Sequence, residues 1–541
     1  MTGGVLSSVG KGVVTASIGK MLQSRSIIVT AVKIDPYLNV DAGTMNPYTH
    51  GEVFVTEDGG ETDLDLGHYE RFLDSDLPSE NNITTGQVYR SVIEKEREGK
   101  FLGKCVQIIP HITDEIKHRI KRVADHSKAD VVIVEVGGTA GDIEGLPFLE
   151  AIRQIRLEEG AESTLFVHVA LVPILSATKE QKTKPAQHSI QELRRIGIQP
   201  DVVVARTQAE LDSDSRSKIA LYGSVPLEAV FSSYDVDVIY RVPLILDEQG
   251  MGDYICKRLS LSPTQSQWKK WEEVIGQIEN GKNEVTIGLC GKYTKLEDSY
   301  ESIKEAVTHA AAAANLSAKL VWIDSEKLQK ESTDALKKLI ECDGVIVLPG
   351  FGARGTEGKI AAAKYLRENS IPFLGICFGL QLAVIEFARN VAGLKEADSA
   401  EVNPEASQPV IDILPEQHGA EKLGGTMRLG AQASILENGS LAHLVYGKSV
   451  VFERHRHRYE VNPAYWEVLQ RHGLIFSGWS PDKHRVEFIE LRDHPFFLAT
   501  QAHPEFKSRP GKPSPPYLAL VKACVERKKV KLGPISTAAS T

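Results

Sequence analysis

Phe373-Leu374-Gly375-Ile376-Cys377-Phe378-Gly379-Leu380-Gln381 passes from an apolar run through Gly-x-Cys-x-Gly straight into the helical pattern LQLAVIEFARN. This reads as the thiol form of a nucleophile elbow, a tight strand-to-helix turn that presents a reactive side chain. Glycine on either side lets the turn close, and the following helix N-terminus favours a thiolate. A cysteine buried only for packing would not need glycine at both offsets. An elbow of this kind belongs to an α/β sheet, and the flanking sequence agrees. VTIGLC (285–290), VWI (321–323) and GVIVL (344–348) are short, almost wholly apolar runs with helical stretches such as 299–314 between them. Such runs suit strands buried on both faces of a parallel sheet.

A thiol nucleophile needs a base. In Ala502-His503-Pro504-Glu505-Phe506, which follows the strand pattern FFLAT, His503 and Glu505 stand two apart. In an extended segment they share a face, so Glu505 can orient the imidazole that serves Cys377. Pro349-Gly350-Phe351-Gly352-Ala353-Arg354-Gly355 follows another strand and is a candidate oxyanion loop, its backbone N–H acting with that of Phe378. Arg454-His455-Arg456-His457-Arg458 has two histidines, which could suggest a metal, but the run itself holds no cysteine or carboxylate. It reads as a polar strand with one arginine facing the site.

A second αβ block precedes this one. IIVTAVK (27–33), VVIVEV (131–136), LFVHVALV (165–172) and DVVVA (201–205) are its strand candidates. Gly3-Gly4-Val5-Leu6-Ser7-Ser8-Val9-Gly10-Lys11-Gly12 runs into the helical VVTASIGKMLQS. Glycines there admit phosphate to backbone N–H groups, the helix end adds positive potential, and Lys11 adds a mobile charge. Five residues separate Gly4 from Gly10, one more than in a strict P-loop, and Gly12 stands where Ser or Thr would bind magnesium. Only Met1 and Thr2 precede the glycines, so the expected leading strand is either absent or begins upstream of Met1. Glu135 interrupts an apolar strand near its C-terminal end, where ligands bind in doubly wound sheets, and Asp65 lies in the acidic run Glu61-Thr62-Asp63-Leu64-Asp65. Both are candidate Mg²⁺ ligands, because magnesium takes one or two carboxylates plus substrate phosphates. Lys182 and Lys184, in a loop with hydroxyl and amide groups, form a candidate triphosphate pocket.

At 541 residues the chain is too long for one core. The domains are expected at 1–259, a nucleotide-using synthetase, and 285–525, an amidotransferase. A polar connector at 260–284 and a disordered tail at 526–541 complete the division. The stretch 395–425 reads as an irregular surface excursion. A net charge of −9 argues against a nucleic-acid or anionic-membrane surface. Six cysteines without metal spacing, no leader pattern and no long apolar run point to a cytoplasmic protein with reduced thiols.

Taken together, GGVLSSVGKG, the long run from KIDPYLNVDAGTMNPYTHGEVFV through ETDLDLGHYERF, EVGGTAGDIE, EQKTKPAQ, GKYTKLEDSY, GICFGLQLAV, RHRHRYEVN and HPEF resemble the CTP synthase family over nearly the whole chain. The resemblance implies a P-loop-like, doubly wound parallel-sheet domain followed by an α/β class I glutamine amidotransferase domain. It implies amination of UTP with ammonia from glutamine, through phosphorylation of uracil O4 by ATP with Mg²⁺, and passage of ammonia through an internal channel. Carried over by position, Ser7, Lys182, Thr183, Lys184, Pro185, Ala186, Gln187 and Lys218 resemble UTP contacts. Ser8, Val9, Gly10, Lys11, Gly12, Val13, Tyr234, Asp235 and Val236 resemble ATP contacts, and Asp65 and Glu135 the magnesium ligands, Asp65 also touching ATP. Asp142, Ile143 and Glu144 resemble residues that read CTP in feedback inhibition. Gly350, Phe378, Gly379, Leu380, Gln381, Glu401 and Arg458 resemble the glutamine pocket around Cys377, His503 and Glu505. The family also implies activation by GTP and a homotetramer. One departure is Pro349, standing where the family has glycine; Gly350 keeps the N–H assigned to the oxyanion. Another glutamine-dependent ligase, of the GMP synthetase kind, would place its glutaminase first. An idle assembly protein would have a broken triad.

Overall fold

The computed structural model describes residues 1–177, 179–294, 296–413 and 427–532. The chain packs as two units: Met1–Thr44 with Thr62–Ile275, and Met45–Glu61 with Gly276–Thr541. The change at 275/276 falls inside the segment read as a connector, which holds the helix Lys269–Glu279. Residues 45–61, read as part of the synthetase half, pack instead with the C-terminal unit.

The first unit contains β1 (Thr2–Gly4), α1 (Lys11–Ser24), β2 (Val29–Asp35), α2 (Asp65–Leu73), β3 (Asn82–Thr84), β4 (Val131–Val136), β5 (Val167–Leu171), α3 (Lys184–Arg195), β6 (Val202–Thr207) and β7 (Val230–Tyr234). Two parallel sheets form, in the orders β1-β5-β6-β7 and β3-β2-β4. Every apolar run picked out above in this half contains a strand, and those in β2, β5 and β6 are buried over most of their length. A strand does precede the phosphate loop, but as a three-residue stub. β1 pairs with β5, while Met1 itself reaches β4: its ammonium donates to Val134 O at 2.6 Å, and Val136 N donates to Met1 O at 3.0 Å.

The second unit is built on one nine-stranded sheet. Its strands are β8 (Glu284–Gly291), β9 (Ser317–Asp324), β10 (Gly344–Val347), β11 (Phe373–Ile376), β12 (Arg428–Leu436), β13 (Val450–His457), β14 (Ile475–Trp479), β15 (Val486–Glu490) and β16 (Phe497–Thr500). The order is β9-β8-β10-β11-β16-β15-β14-β12-β13. The first five strands are parallel, as expected, whereas β15, β14, β12 and β13 continue the sheet antiparallel. α4 (Phe378–Asn390) follows β11 and is buried along ten residues and more, while α5 (Pro515–Leu532) closes the chain. The first residues of the expected tail therefore continue this helix; 533–541 lie outside the described residues. The stretch read as irregular contains paired strands at Ala397–Ser399 and Gln408–Asp412, joined by Glu460–Val461, and residues 414–426 lie outside the description. Among the described residues no helix is long and apolar enough to cross a membrane.

Beside Met1 a groove of about 480 Å³ opens between the early parts of β4 and β5, lined by Ile18, Ile133, Ile152, Val167, Ile255 and Leu259 among others. Burial lowers the pKa of the Met1 ammonium to about 6, against the attraction of Glu135. The unfolded amine, near 8.0, binds more protons than the folded one between about pH 6 and 8, so stability rises with pH across that window. A version of the chain extended by about five apolar residues ahead of Met1 is expected to fill the groove and convert the amine to an amide. Its melting temperature should rise by several degrees, since each buried Val or Ile contributes roughly 1.5–3 kcal/mol. The pH 6–8 increment should disappear. Differential scanning calorimetry at several pH values would check both, and equal melting of the two chains would rule the groove out as a strand site.

Candidate active sites

In the first unit the phosphate loop joins β1 to α1, and its Val5, Leu6, Ser7 and Ser8 are exposed while Val9 is buried. Lys11 is buried and its Nζ donates to Gly138 O at 2.5 Å, in the loop after β4. Gly12 replaces the expected hydroxyl residue for a packing reason: a Cβ there would overlap the carboxylate of Asp65. α1 and α2 thus meet at Gly12, and the close approach sets Asp65 directly against the start of α1.

Asp65 and Glu135 converge on a residue that the motif reading did not single out. Lys33, on β2, lies in salt bridges with Asp65, with Glu135 at 3.3 Å, with Asp63 at 3.6 Å and with Asp35 at 3.8 Å. Burial works against the lysine charge, but Asp63, Asp65, Glu135 and Asp35 outweigh it and hold its pKa well above the usual value. For Asp35, burial and then Asp63 push the pKa to about 8 against the pull of Lys33. Tyr69 donates to Glu135 from α2. The visible signal was Lys33 itself, a charge inside the apolar strand pattern AVKID. Among the described residues no three His, Cys, Asp or Glu side chains are arranged to hold a metal by themselves. Two carboxylates meeting around one ammonium do fit a magnesium ion whose remaining ligands are phosphate oxygens and water.

The other nucleotide candidates lie on later elements of the same unit. Tyr234 ends β7, and Asp235 pairs with Arg206 at 2.5 Å; Arg206 lies beside Gly10 and was likewise not singled out. Lys182 pairs with Glu180, and Lys218 pairs with Asp214 at 2.5 Å while also acting on Glu180. Thr183 is buried and accepts from Gln187 at 3.0 Å; Lys184, Pro185 and Ala186 begin α3. Asp142 accepts from Thr139 N at 2.7 Å, whereas Ile143 is 81% exposed and Glu144 is exposed. Ser7, Ser8 and Val13 stay on the loop and first turn.

In the second unit Cys377 occupies the junction of β11 and α4 with φ 52° and ψ −104°, a backbone region non-glycine residues rarely adopt. The flanking glycines are needed by close packing. A Cβ on Gly375 would come within 2.8 Å of Ala499 Cβ, and one on Gly379 would overlap Val347 O. β11 and α4 are thereby pressed against β16 and β10. His503 lies just past β16, its backbone N–H donating to Arg454 O at 2.8 Å and its ring stacked on Phe506 at 5.2 Å. His503 and Glu505 do meet, Nδ1 to Oε1 at 2.7 Å. They do so across a tight 3-10 turn, Pro504–Lys507, rather than along an extended segment. Burial opposes the imidazolium, but Glu505 and then Cys377 outweigh it and raise its pKa to about 10.

The candidate oxyanion loop is held by two buried lysines that the motifs did not single out. Lys359 donates to Leu348 O at 2.7 Å and Pro349 O at 3.3 Å, and Lys292 to Phe351 O and to Gly352 O at 3.1 Å. Burial, and then Lys292, lowers the Lys359 pKa to about 7. Gly350 has φ 134° and Gly352 N donates to Glu401 at 2.7 Å. Arg458 acts on Glu401 electrostatically, so these two glutamine-pocket candidates are neighbours. Phe378, Gly379, Leu380 and Gln381 form the buried first turn of α4. The Arg-His-Arg-His-Arg strand does more than present one arginine. Arg454 bonds Glu57 at 2.9 Å and Val55 O at 3.0 Å, and Arg456 bonds Glu61 at 2.7 Å. These contacts tie the 45–61 segment to this unit. On the alternate face His455 and His457 contact each other at 3.0 Å.

A family model described as CTP synthase N-terminus matches residues 1–261, and one described as Glutamine amidotransferase class-I matches residues 295–523. The chain is 59% identical over 525 residues to a CTP synthase of Aeropyrum pernix, covering 97% of each chain. It is 57% identical over 524 residues to one of Methanopyrus kandleri, covering 97% of this chain and 98% of the relative. Among solved structures, the glutaminase domain of Trypanosoma brucei CTPS with bound acivicin is 40% identical with a TM-score of 0.43, covering 45% of this chain and 94% of that one.

The unfolded His503 ring releases its proton near pH 6.5, and the folded one near 10. Its contribution to stability is therefore complete below about pH 6.5 and is lost as pH rises through about 10. Glu505→Gln removes the strongest partner favouring the charged ring. We expect the alkaline fall in melting temperature to become shallower in that variant and the ring's NMR titration to move down by more than one unit. An unchanged titration would show that Glu505 does not hold the imidazolium.

Proposed function

The chain belongs to the CTP synthase family, ligases that make CTP from UTP with glutamine as the nitrogen source, and we propose the following division of labour for it. The 1–259 region binds ATP and UTP and activates the pyrimidine; the 285–525 region releases ammonia from glutamine. The observation that carries the reading is the buried set of Cys377, on a strained elbow, with His503 and Glu505, in a chain whose glycine-rich N-terminal loop lies against Asp65.

We assign Cys377 as the nucleophile. His503, kept charged-competent by Glu505, takes the thiol proton and returns it to the departing amide nitrogen. Backbone N–H groups of Gly350 and Phe378 face the developing oxyanion, with Lys292 and Lys359 fixing the loop. Gly352, Glu401, Gln381 and Arg458 belong to the glutamine pocket. Water then releases glutamate from the thioester.

In the first unit we assign Lys11, the Ser8–Val13 loop and Tyr234–Val236 to ATP, and Ser7, Lys182–Gln187 and Lys218 to UTP. Asp65 and Glu135 would hold magnesium, which neutralises charge on the transferred phosphoryl group when bound. Uracil O4 is a poor leaving group, and phosphorylation by ATP makes it one that ammonia displaces. Ammonia confined away from water stays unprotonated and reactive, which favours an enclosed route for it. Lys33, paired with both carboxylates, balances the charge of the pocket that would hold the ion. Family membership further supports GTP as activator, CTP as feedback inhibitor through Asp142, Ile143 and Glu144, and a homotetramer.

Cys377→Ala should abolish glutamine-dependent CTP synthesis, by several orders of magnitude, and leave synthesis from ammonium salt intact, more so at higher pH. Absorbance assays with UTP, ATP, Mg²⁺ and either nitrogen source would check it. A variant that still uses glutamine would remove Cys377 from the role of nucleophile. Asp65→Asn and Glu135→Gln should show the reverse pattern: glutamine hydrolysis persists while CTP formation falls at least ~100-fold with either nitrogen source, and partial recovery comes at high Mg²⁺. Normal CTP formation at low Mg²⁺ would return that carboxylate to a purely structural role.

A further inference from the structure

Gln501 lies between β16 and His503, fully buried, and belongs to none of the roles assigned above. Its backbone N–H donates to Glu487 O at 2.9 Å, which anchors it to β15. Its side-chain Nε2 is 3.7 Å from Cys377 Sγ, within reach of a hydrogen bond to sulfur. Its Oε1 accepts from Gln381 Nε2 at 3.3 Å, and the same Gln381 nitrogen donates to Tyr459 O at 2.9 Å.

This chain fixes which way the amides point. A backbone carbonyl such as Tyr459 O can only accept, so Gln381 must turn its NH₂ group toward it. That nitrogen also faces Gln501 and needs an acceptor there, so Gln501 must present its oxygen to Gln381. The remaining atom of the Gln501 amide is then the NH₂ group, and it faces Cys377. Both side chains are buried, with Gln381 at 2% and Gln501 at 0% exposure, so water does not offer an alternative set of partners.

Two neutral groups therefore flank the sulfur with opposite preferences. The thiol donates to Arg456 O at 3.6 Å, and a carbonyl favours the protonated form. An amide N–H favours the thiolate, whose charge strengthens the bond. We propose that Gln501 is a catalytic residue of the glutaminase site: an amide donor, locked in orientation by Gln381 and Tyr459, that stabilises the Cys377 thiolate. The inference rests on the reading of Cys377 as nucleophile, and it places on one short segment both the proton acceptor, His503, and the donor that stabilises what the proton leaves behind.

The test measures the rate of carbamidomethylation of Cys377 by iodoacetamide against pH in the full chain, resolved by peptide mass spectrometry. The exposed thiol of Cys105 serves as internal reference. Gln501→Met keeps the length and removes the donor. Its midpoint for Cys377 should rise by about one unit, with a roughly tenfold slower reaction at neutral pH, while Cys105 and ammonia-driven CTP synthesis stay unchanged. Gln501→Glu, the closest shape, turns a donor into an anion and should shift the midpoint further upward. An unshifted midpoint in either variant that retains ammonia-driven synthesis overturns the proposal. Should both variants lose that synthesis, the unmodified chain decides: a Cys377 midpoint no lower than that of Cys105 overturns it, and a lower midpoint whose depression vanishes in Gln381→Met, which frees the Gln501 amide, supports it. If carbamidomethylated Cys377 leaves glutamine-dependent synthesis intact, the nucleophile reading fails instead, a result separate from any shift caused by Gln501.

Discussion

The left-handed backbone at Cys377 is the constraint on which the amidotransferase unit turns. A non-glycine residue in such a conformation costs on the order of 1–3 kcal/mol, and it persists only where the surroundings over-determine it. Here the surroundings are the main chain of neighbouring strands. Gly375 is pressed against Ala499 and Gly379 against the Val347 carbonyl, so β10, β11, β16 and α4 hold the elbow from three directions. The same parallel strand pairing that buries the core places the residues after β10 and β16 at the elbow's rim. The loop after β10 and the His503–Glu505 turn after β16 are thus brought beside the thiol by sheet topology. The turn's own residues refine what the topology supplies.

In the other unit the organising interaction is electrostatic. A lysine ringed by four carboxylates is an unusual thing to bury; the carboxylates offset its desolvation, and two of them are themselves held, Asp35 by Asn82 and Glu135 by Tyr69. The arrangement leaves the carboxylates close together without mutual repulsion tearing the pocket open.

Much of this was legible in the amino-acid order. The apolar runs at 131–136 and 373–376 coincide with β4 and β11 to the residue, because strands buried on both faces admit few polar side chains. The sharp turn at Cys377 was legible because its close packing demands glycine at 375 and 379. The antiparallel half of the second sheet was not, since β12 and β13 have one half-covered face and mix polar with apolar residues. Lys33, Lys359 and Gln501 escaped notice for a different reason: each looks like an ordinary polar residue until its burial is known. That residues 45–61 pack with the second unit was not legible, because their partners, Arg454 and Arg456, lie far along the chain.

That last separation bears on the order of events during synthesis. Glu57 and Arg454 are 397 residues apart, so the 45–61 stretch leaves the ribosome long before its strand partners exist. Its flanks can settle into the first sheet while the stretch itself is held out as a loop, awaiting β13. Contacts across such distances form late and slowly, because loop closure must be met before they reward it. The early-made segment can therefore pair with β13 only once the C-terminal region has been synthesised.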